Sequence, residues 1–176
     1  MKIGITGTQS VGKTTLVNAL MALPEFEGYN FATERSKYLR DLGIPLNTDS
    51  TLKGQFVFLA ERCAELMNEN IITDRTVIDV MAFTKAAKSI DYYEAEAFCE
   101  AAYKLIPEYD YIFYVSPEGV EMEDNGVRTT DLKYRETIDN IITLILYRSN
   151  HKIKHFVELK GSTEERIVKM IETIFG

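Results

Sequence analysis

The first fifteen positions hold the residues with the clearest potential for chemistry. Two glycines five positions apart are followed directly by a lysine and a threonine, after an apolar run at 2–6. The segment reads Gly7, Thr8, Gln9, Ser10, Val11, Gly12, Lys13, Thr14 and Thr15. In this pattern successive backbone N–H groups surround a polyphosphate, the lysine reaches the β- and γ-phosphates, and the threonine hydroxyl ligates Mg²⁺. The sequence therefore predicts a phosphate-binding loop (P-loop) that holds ATP, or alternatively GTP, together with Mg²⁺.

Two pairs of charged residues form the second candidate group. Glu34 and Arg35 come directly after the second predicted strand, and Asp74 and Arg75 come after the third. In parallel α/β sheets, ligands bind outside the carboxyl ends of the strands. We therefore expect both pairs to lie beside the P-loop.

Each of these residues has a chemical and a structural interpretation. Glu34 could take the proton from an acceptor hydroxyl, and Asp74 could hold a Mg²⁺-bound water or act as that base. Arg35 and Arg75 could bind the acceptor. Alternatively, Glu34 is favoured by the dipole at a helix start, Asp74 caps the next helix, and the arginines are solvated or paired with an acid. The residues leave open which carboxylate is the base.

A glycine-containing loop that leads into a helix with two arginines predicts a mobile lid over 117–135. Arg128 and Arg135 are seven positions apart, hence on one face if the helix begins early enough. Such a lid would close over the triphosphate and neutralise charge in the transition state. The alternative is an exposed helix with solvated charges, including an Asp131–Arg135 pair.

Four further residues carry weaker signals. Gln55, near the start of a long predicted helix, could bind an acceptor base or be a plain polar helix position. Asp79, on the following helix, could also face the site, but a surface acid is the favoured interpretation. Cys63 and Cys99 each lie in an apolar helical pattern, which indicates buried thiols in a reducing compartment.

Composition limits the classes of function. The net charge of −7, without a large Lys/Arg cluster, argues against a protein that grips duplex nucleic acid. No apolar run approaches the roughly 18 residues that a membrane span needs. We expect a cytoplasmic protein (host cytoplasm if phage-encoded) that acts on a small-molecule acceptor. Its oligomeric state is open, with a homodimer as one option.

Alternating strand and helix patterns predict the architecture. Strands are expected at 2–6, 29–32, 70–73, 109–115 and 153–159. Helices are expected at 13–23, 36–42, 50–68, 77–88, 92–105, 130–148 and 163–175, with Asp49 or Ser50 capping the third. This order predicts one domain over 1–176, with a three-layer α/β fold and a mainly parallel five-stranded sheet.

Missing signatures narrow the class of P-loop protein. The sequence has no Asn-Lys-x-Asp or Asp-x-x-Gly motif of signalling GTPases, and no Leu-Ser-Gly-Gly motif of transporter ATPases. Its third predicted strand is not followed by the Asp-Glu of AAA+ motors. A small-molecule kinase is the interpretation that remains.

The layout resembles small P-loop kinases such as the ribosylnicotinamide kinase domain of the bifunctional bacterial NAD-biosynthesis regulator, an AAA-type nucleoside and nucleotide kinase group with many phage members. The resemblance covers nearly the whole chain and rests on the P-loop, on Glu34 and Asp74, and on a lid segment with Arg128 and Arg135. Asp74, Arg75 and Thr76 are also similar to triplets of deoxynucleoside and thymidylate kinases.

The resemblance implies ATP- and Mg²⁺-dependent phosphoryl transfer to a nucleoside, a nucleoside monophosphate or a related nucleotide precursor. Arg75 follows the aspartate of the third strand, where ribosylnicotinamide kinases need not have an arginine. We therefore expect a nucleoside or its monophosphate as the acceptor more than nicotinamide riboside. Two other functions stay open: a non-catalytic ATP- or GTP-binding switch, and a kinase acting on a modified base in DNA.

Overall fold

A computed structural model describes residues 1–33, 35–119 and 131–176. Its strands are β1 (Lys2–Thr6), β2 (Asn30–Ala32), β3 (Ile71–Asp74), β4 (Tyr111–Val115) and β5 (His155–Leu159). Its α-helices are α1 (Lys13–Leu20), α2 (Ser36–Asp41), α3 (Leu52–Glu65), α4 (Val77–Ala86), α5 (Tyr92–Tyr103), α6 (Leu132–Ser149) and α7 (Thr163–Phe175). Each strand is followed by one or two α-helices, in the order that the sequence predicts.

The five strands form one sheet in the order β2-β3-β1-β4-β5, and every pairing is parallel. Ile5 of β1 pairs with Asp74 of β3 on one side and with Phe113 of β4 on the other. The carboxyl ends of β1, β3 and β4 therefore meet at one edge, where the P-loop begins. The predicted α/β class with a parallel five-stranded sheet is confirmed.

Two apolar clusters cover the two faces of the sheet. Successive side chains of a strand point to opposite faces. In β4, Ile112 joins the cluster under α3, α4, α5 and α6, while Phe113 joins the cluster under α1 and α7. The sheet is thus the middle of three layers, and both faces of its central strands β1, β3 and β4 are largely buried, as is typical of parallel sheets.

The start of α3 differs from the prediction. Thr51, and not Asp49 or Ser50, is the N-cap: its hydroxyl accepts from the backbone N–H of Gly54 at 3.2 Å. Residues Asn47–Asp49 form a separate 3₁₀ turn.

In the described ranges, no helix combines the length and the apolar character needed to cross a bilayer.

The two cysteines have different environments. Cys99 is buried in α5, as predicted, whereas the prediction for Cys63 is wrong because its side chain is exposed on α3. Neither forms a disulfide. Burial raises the pKa of the Cys99 thiol to about 11.

We predict that iodoacetamide alkylates Cys63 at least ten times faster than Cys99 in the folded protein at pH 8. The thiolate is the reactive form, and a pKa near 11 leaves only about one thiol in a thousand ionised at this pH. Peptide mass spectrometry over a time course measures both rates. Cys63→Ser should remove the fast phase, and equal rates at the two positions would contradict the prediction.

Candidate active site

The P-loop joins β1 to α1 through a tight backbone path. Ser10 and Gly12 have φ of 56° and 86°, in the left-handed region that glycine adopts with the least steric cost. A Cβ at Gly7 would lie 2.7 Å from the carbonyl oxygen of Val115, at the end of β4. The loop therefore packs directly against the sheet edge. Its two glycines are required by this close approach and by the backbone conformation.

The ammonium group of Lys13 lies inside the loop. The residue is 3% exposed, and Nζ donates to the carbonyl oxygens of Gly7 at 2.7 Å and Thr8 at 2.6 Å. A P-loop lysine in this position can reach phosphate oxygens by exchanging these carbonyl partners.

Thr14 and Asp74, the predicted Mg²⁺ ligands, are neighbours. The Thr14 hydroxyl donates to Oδ2 of Asp74. Asp74 is fully buried, and its Oδ1 has no hydrogen-bond partner among the described residues. Mg²⁺ often takes only one or two protein oxygens and completes its shell with water and phosphate. The Thr14 hydroxyl and the unpartnered Oδ1 of Asp74 are oxygen ligands of the kind that Mg²⁺ takes.

Asp79 is fully buried beside the P-loop. Its exposure is 0%, so the interpretation as a surface acid is wrong. Its carboxylate accepts from the Thr6 hydroxyl at 2.8 Å, from the Thr76 N–H at 2.8 Å and from the Gly7 N–H at 3.4 Å. Thr76 and Asp79 together form the capping box of α4, a spacing that is readable from the sequence. The carboxylate thereby joins the P-loop to the turn after β3.

Arg75 occupies an unusual backbone position in that turn. Its φ is 92°, which is rare for a residue with a side chain. The residue is 7% exposed; its guanidinium lies over the ring of Phe83, 4.9 Å from the centroid, and Nη1 is 3.7 Å from Oδ1 of Asp79. The turn therefore directs a buried positive charge along the sheet edge.

A pocket opens next to the P-loop between this turn, α3 and α4. Its walls include Gln9, Gln55, Phe58, Arg62, Arg75, Asp79 and Phe83. Gln55 is only 2% exposed, and the two phenylalanines supply apolar walls. Gln9 belongs to the P-loop, so the pocket and the phosphate loop are contiguous. The structure therefore brings Gln55 and Arg75 together with the P-loop.

Arg62 is a pocket residue that the sequence reasoning missed. It is 3% exposed, its Nη1 lies 3.5 Å from the carbonyl oxygen of Asp74, and Nη2 donates to Glu65. Arg62 follows Gln55 by seven positions, which places both on one face of α3. The spacing of seven positions was the signal in the sequence that could have placed Arg62 beside Gln55.

Arg35 does not line the pocket, although its neighbour Ser36 does. Its side chain is about half exposed, pairs with Glu61 at 3.3 Å and stacks over Tyr38 at 4.6 Å. Glu34 and Arg128 lie outside the described residues. The predicted lid over 117–135 is described only at 117–119 and 131–135.

Arg135 lies in the first turns of α6, against the P-loop. Its backbone carbonyl accepts from the Thr8 hydroxyl at 3.0 Å, and the residue is 8% exposed. Burial lowers the pKa of its guanidinium, and the negative charge of Asp139 offsets part of this shift. Burial also raises the pKa of Asp139, which accepts a hydrogen bond from the Tyr114 hydroxyl at 2.9 Å. The start of α6 is thus docked on the loop.

The sheet order and the loop between β1 and α1 together define a P-loop fold. A family model described as an AAA domain matches residues 2–166, and the chain belongs to that family. The predicted resemblance is confirmed. No curated protein sequence matches the chain.

Solved structures with this fold include three informative neighbours. Deoxyadenosine kinase from M. mycoides, with dCMP and dCDP bound, is 20% identical with a TM-score of 0.67, over 99% of this chain and 98% of that one. NadR in complex with NR is 16% identical with a TM-score of 0.74, over 97% of this chain and 50% of that one. Thymidylate kinase from Ehrlichia chaffeensis is 16% identical with a TM-score of 0.66, over 99% and 97%.

We predict that Asp79→Asn lowers the free energy of unfolding by about 2 kcal/mol. An amide keeps one acceptor oxygen and turns its NH₂ group towards a donor, so at least one buried N–H or O–H loses its partner. Urea denaturation measures the change. Asp41→Asn, at an exposed position on α2, is the matched control and should change stability by less than about 0.5 kcal/mol. Equal effects of the two substitutions would contradict the assigned role of Asp79.

Proposed function

We propose that the protein is a kinase that uses ATP and Mg²⁺ to phosphorylate a nucleoside, a nucleoside monophosphate or a related nucleotide precursor. The observation that carries the proposal is the continuity of the P-loop with a buried pocket. Gln9 belongs to the loop and lines the pocket, and Asp79 accepts from Gly7 while lining the same pocket. Donor and acceptor sites that share a wall are what direct phosphoryl transfer needs.

The donor half consists of the P-loop backbone, with Lys13 and Thr14, and of Asp74. The loop N–H groups would hold the polyphosphate, and Lys13 would exchange its carbonyl partners for phosphate oxygens. Thr14 and Asp74 would hold Mg²⁺, which neutralises charge on the phosphates when bound. GTP is an alternative donor, because the P-loop residues named here recognise phosphate and Mg²⁺ and not a base.

The acceptor half is the pocket between α3 and α4. Gln55 offers both a donor and an acceptor at a position nearly closed to water, and Phe58 and Phe83 supply apolar walls for a planar base. Arg62 and Arg75 can donate to phosphate, hydroxyl or carbonyl oxygens. The similarity to the solved deoxyadenosine and thymidylate kinases supports an acceptor of this class.

The remaining roles are proposals from the sequence. Glu34 or Asp74 would orient or deprotonate the acceptor hydroxyl, and Arg35 would assist binding at the entrance. Arg128 and Arg135 would close over the triphosphate and neutralise charge on the transferring group. The docking of the Arg135 carbonyl on Thr8 supports the idea that lid position and loop are coupled.

We expect phosphoryl transfer from radiolabelled ATP to at least one member of a panel of nucleosides, nucleoside monophosphates and nicotinamide riboside. Lys13→Ala should lower kcat/KM for the best acceptor by about a hundredfold or more, because it removes the positive charge that would lie beside the phosphoryl group during transfer. Lys104→Ala, at an exposed position, is the matched control. Thin-layer chromatography of the labelled products measures the transfer.

One result would overturn the kinase proposal. If ATP binds but no acceptor is labelled, the protein is better explained as a non-catalytic nucleotide-binding switch. In that case the effect of Lys13→Ala would be seen only in nucleotide binding or in nucleotide-dependent binding of a partner.

We predict that Gln55→Leu raises KM for the acceptor about tenfold and leaves KM for ATP unchanged. The substitution keeps the volume of the side chain but removes one or two buried hydrogen bonds to the acceptor, worth about 1.4 kcal/mol. Steady-state kinetics with each substrate varied in turn measure both constants. Lys53→Met, exposed on the same helix, is the control. Equal changes in both KM values would argue against an acceptor-binding role of Gln55.

A further inference from the structure

Arg166 is a buried charge that has no part in the proposed phosphoryl transfer. It lies in the second turn of α7 and is 4% exposed. Its Nη1 donates to the carbonyl oxygen of Val11 in the P-loop at 2.8 Å. Its Nε has no hydrogen-bond partner, and no carboxylate pairs with its guanidinium, among residues 1–33, 35–119 and 131–176.

A buried guanidinium without a counter-charge is costly, so its position needs a physical reason. Burial already lowers the pKa of this group. The guanidinium lies against the loop itself, because a Cβ at Gly12 would come within 3.2 Å of Nη1. The anion expected in the P-loop would supply the missing negative charge.

Peptide geometry connects this hydrogen bond to the phosphate cradle. The peptide between Val11 and Gly12 is planar and trans, so its C=O and its N–H point in opposite directions. Since the Val11 carbonyl is held towards α7 by Arg166, the Gly12 N–H is turned away from α7. Backbone N–H groups of this loop form the concavity that receives phosphate oxygens.

We propose that Arg166 is a positioning residue for the triphosphate: it fixes the Val11–Gly12 peptide with its N–H towards the phosphates, and its charge is balanced by them. The inference rests on the nucleotide-binding half of the proposed function and is independent of the acceptor. It makes α7, which is distant in sequence from the loop, part of the donor site.

The test compares three variants by calorimetric titration with Mg·ATP and with Mg·tripolyphosphate, which lacks the nucleoside. Arg166→Met should weaken binding of both ligands about tenfold, because it removes a charge-assisted hydrogen bond and a nearby positive charge. Arg166→Lys keeps a charge and a donor and should stay within about threefold of the wild type. Lys169→Met removes a charge from the exposed side of the same helix and should leave both affinities unchanged.

Thermal unfolding without ligand separates this role from a general loss of packing. A purely structural role would lower the unliganded Tm while the affinity of the folded fraction stayed as in the wild type, and that result would overturn the proposal. A folded Arg166→Met variant with wild-type affinity, or an Arg166→Lys variant as weak as Arg166→Met, would also overturn it. If Arg166→Met does not fold, Arg166→Gln replaces it: weakening by threefold or more supports the proposal, and unchanged affinity overturns it.

The same titrations distinguish this inference from the kinase proposal. If the wild type binds ATP but transfers no phosphoryl group, the kinase proposal fails, and the comparison of Arg166 variants still decides the role of Arg166. If ATP and tripolyphosphate both fail to bind the wild type, the inference on Arg166 is overturned.

Discussion

The carboxylate of Asp79 has no contact with solvent, and the groups that donate to it come from two separate segments of the chain. Thr6 and Gly7 belong to the end of β1 and the start of the P-loop, while Thr76 belongs to the turn after β3. A buried carboxylate is tolerated only when its oxygens accept hydrogen bonds, so these segments must stay together. This side chain therefore fixes the relative position of the phosphate loop and the Asp74–Arg75 turn, together with the hydrogen bond from Thr14 to Asp74 and the pairing of β1 with β3.

The P-loop is held from two further directions. Thr8 donates to the carbonyl of Arg135 in α6, and Val11 accepts from Arg166 in α7. The first contact is made by the Thr8 side chain and the second by the backbone of Val11, so the loop is held at two different points. A cradle whose dipoles are already aligned does not have to reorganise when phosphate enters, which is the physical basis of electrostatic preorganisation. Helices from the two faces of the sheet thus support one loop.

The pocket between α3 and α4 follows from the same arrangement. Strand β3 ends at Asp74 beside β1, and the left-handed turn at Arg75 directs its guanidinium towards Phe83 and the pocket. Helix α3 closes the other side with Gln55 and Arg62, which share one helical face. A strained turn residue at such a point is a common feature of functional sites, where surrounding contacts compensate its cost.

The sequence alone determined the parts that depend on residues close together in the chain. The P-loop was predicted from spacing and from the strand before it, and strands and helices were predicted from periodicity. Because ligand sites of parallel sheets lie at strand carboxyl ends, the proximity of Asp74 to Thr14 was also predictable. Only the tertiary structure decided which polar side chains are buried. Asp79, Arg62 and Arg166 are buried against partners from other elements, and Val11 and Arg166 are 155 positions apart. Burial and pairing of a charge are set by the packing of distant segments, which local sequence patterns do not encode.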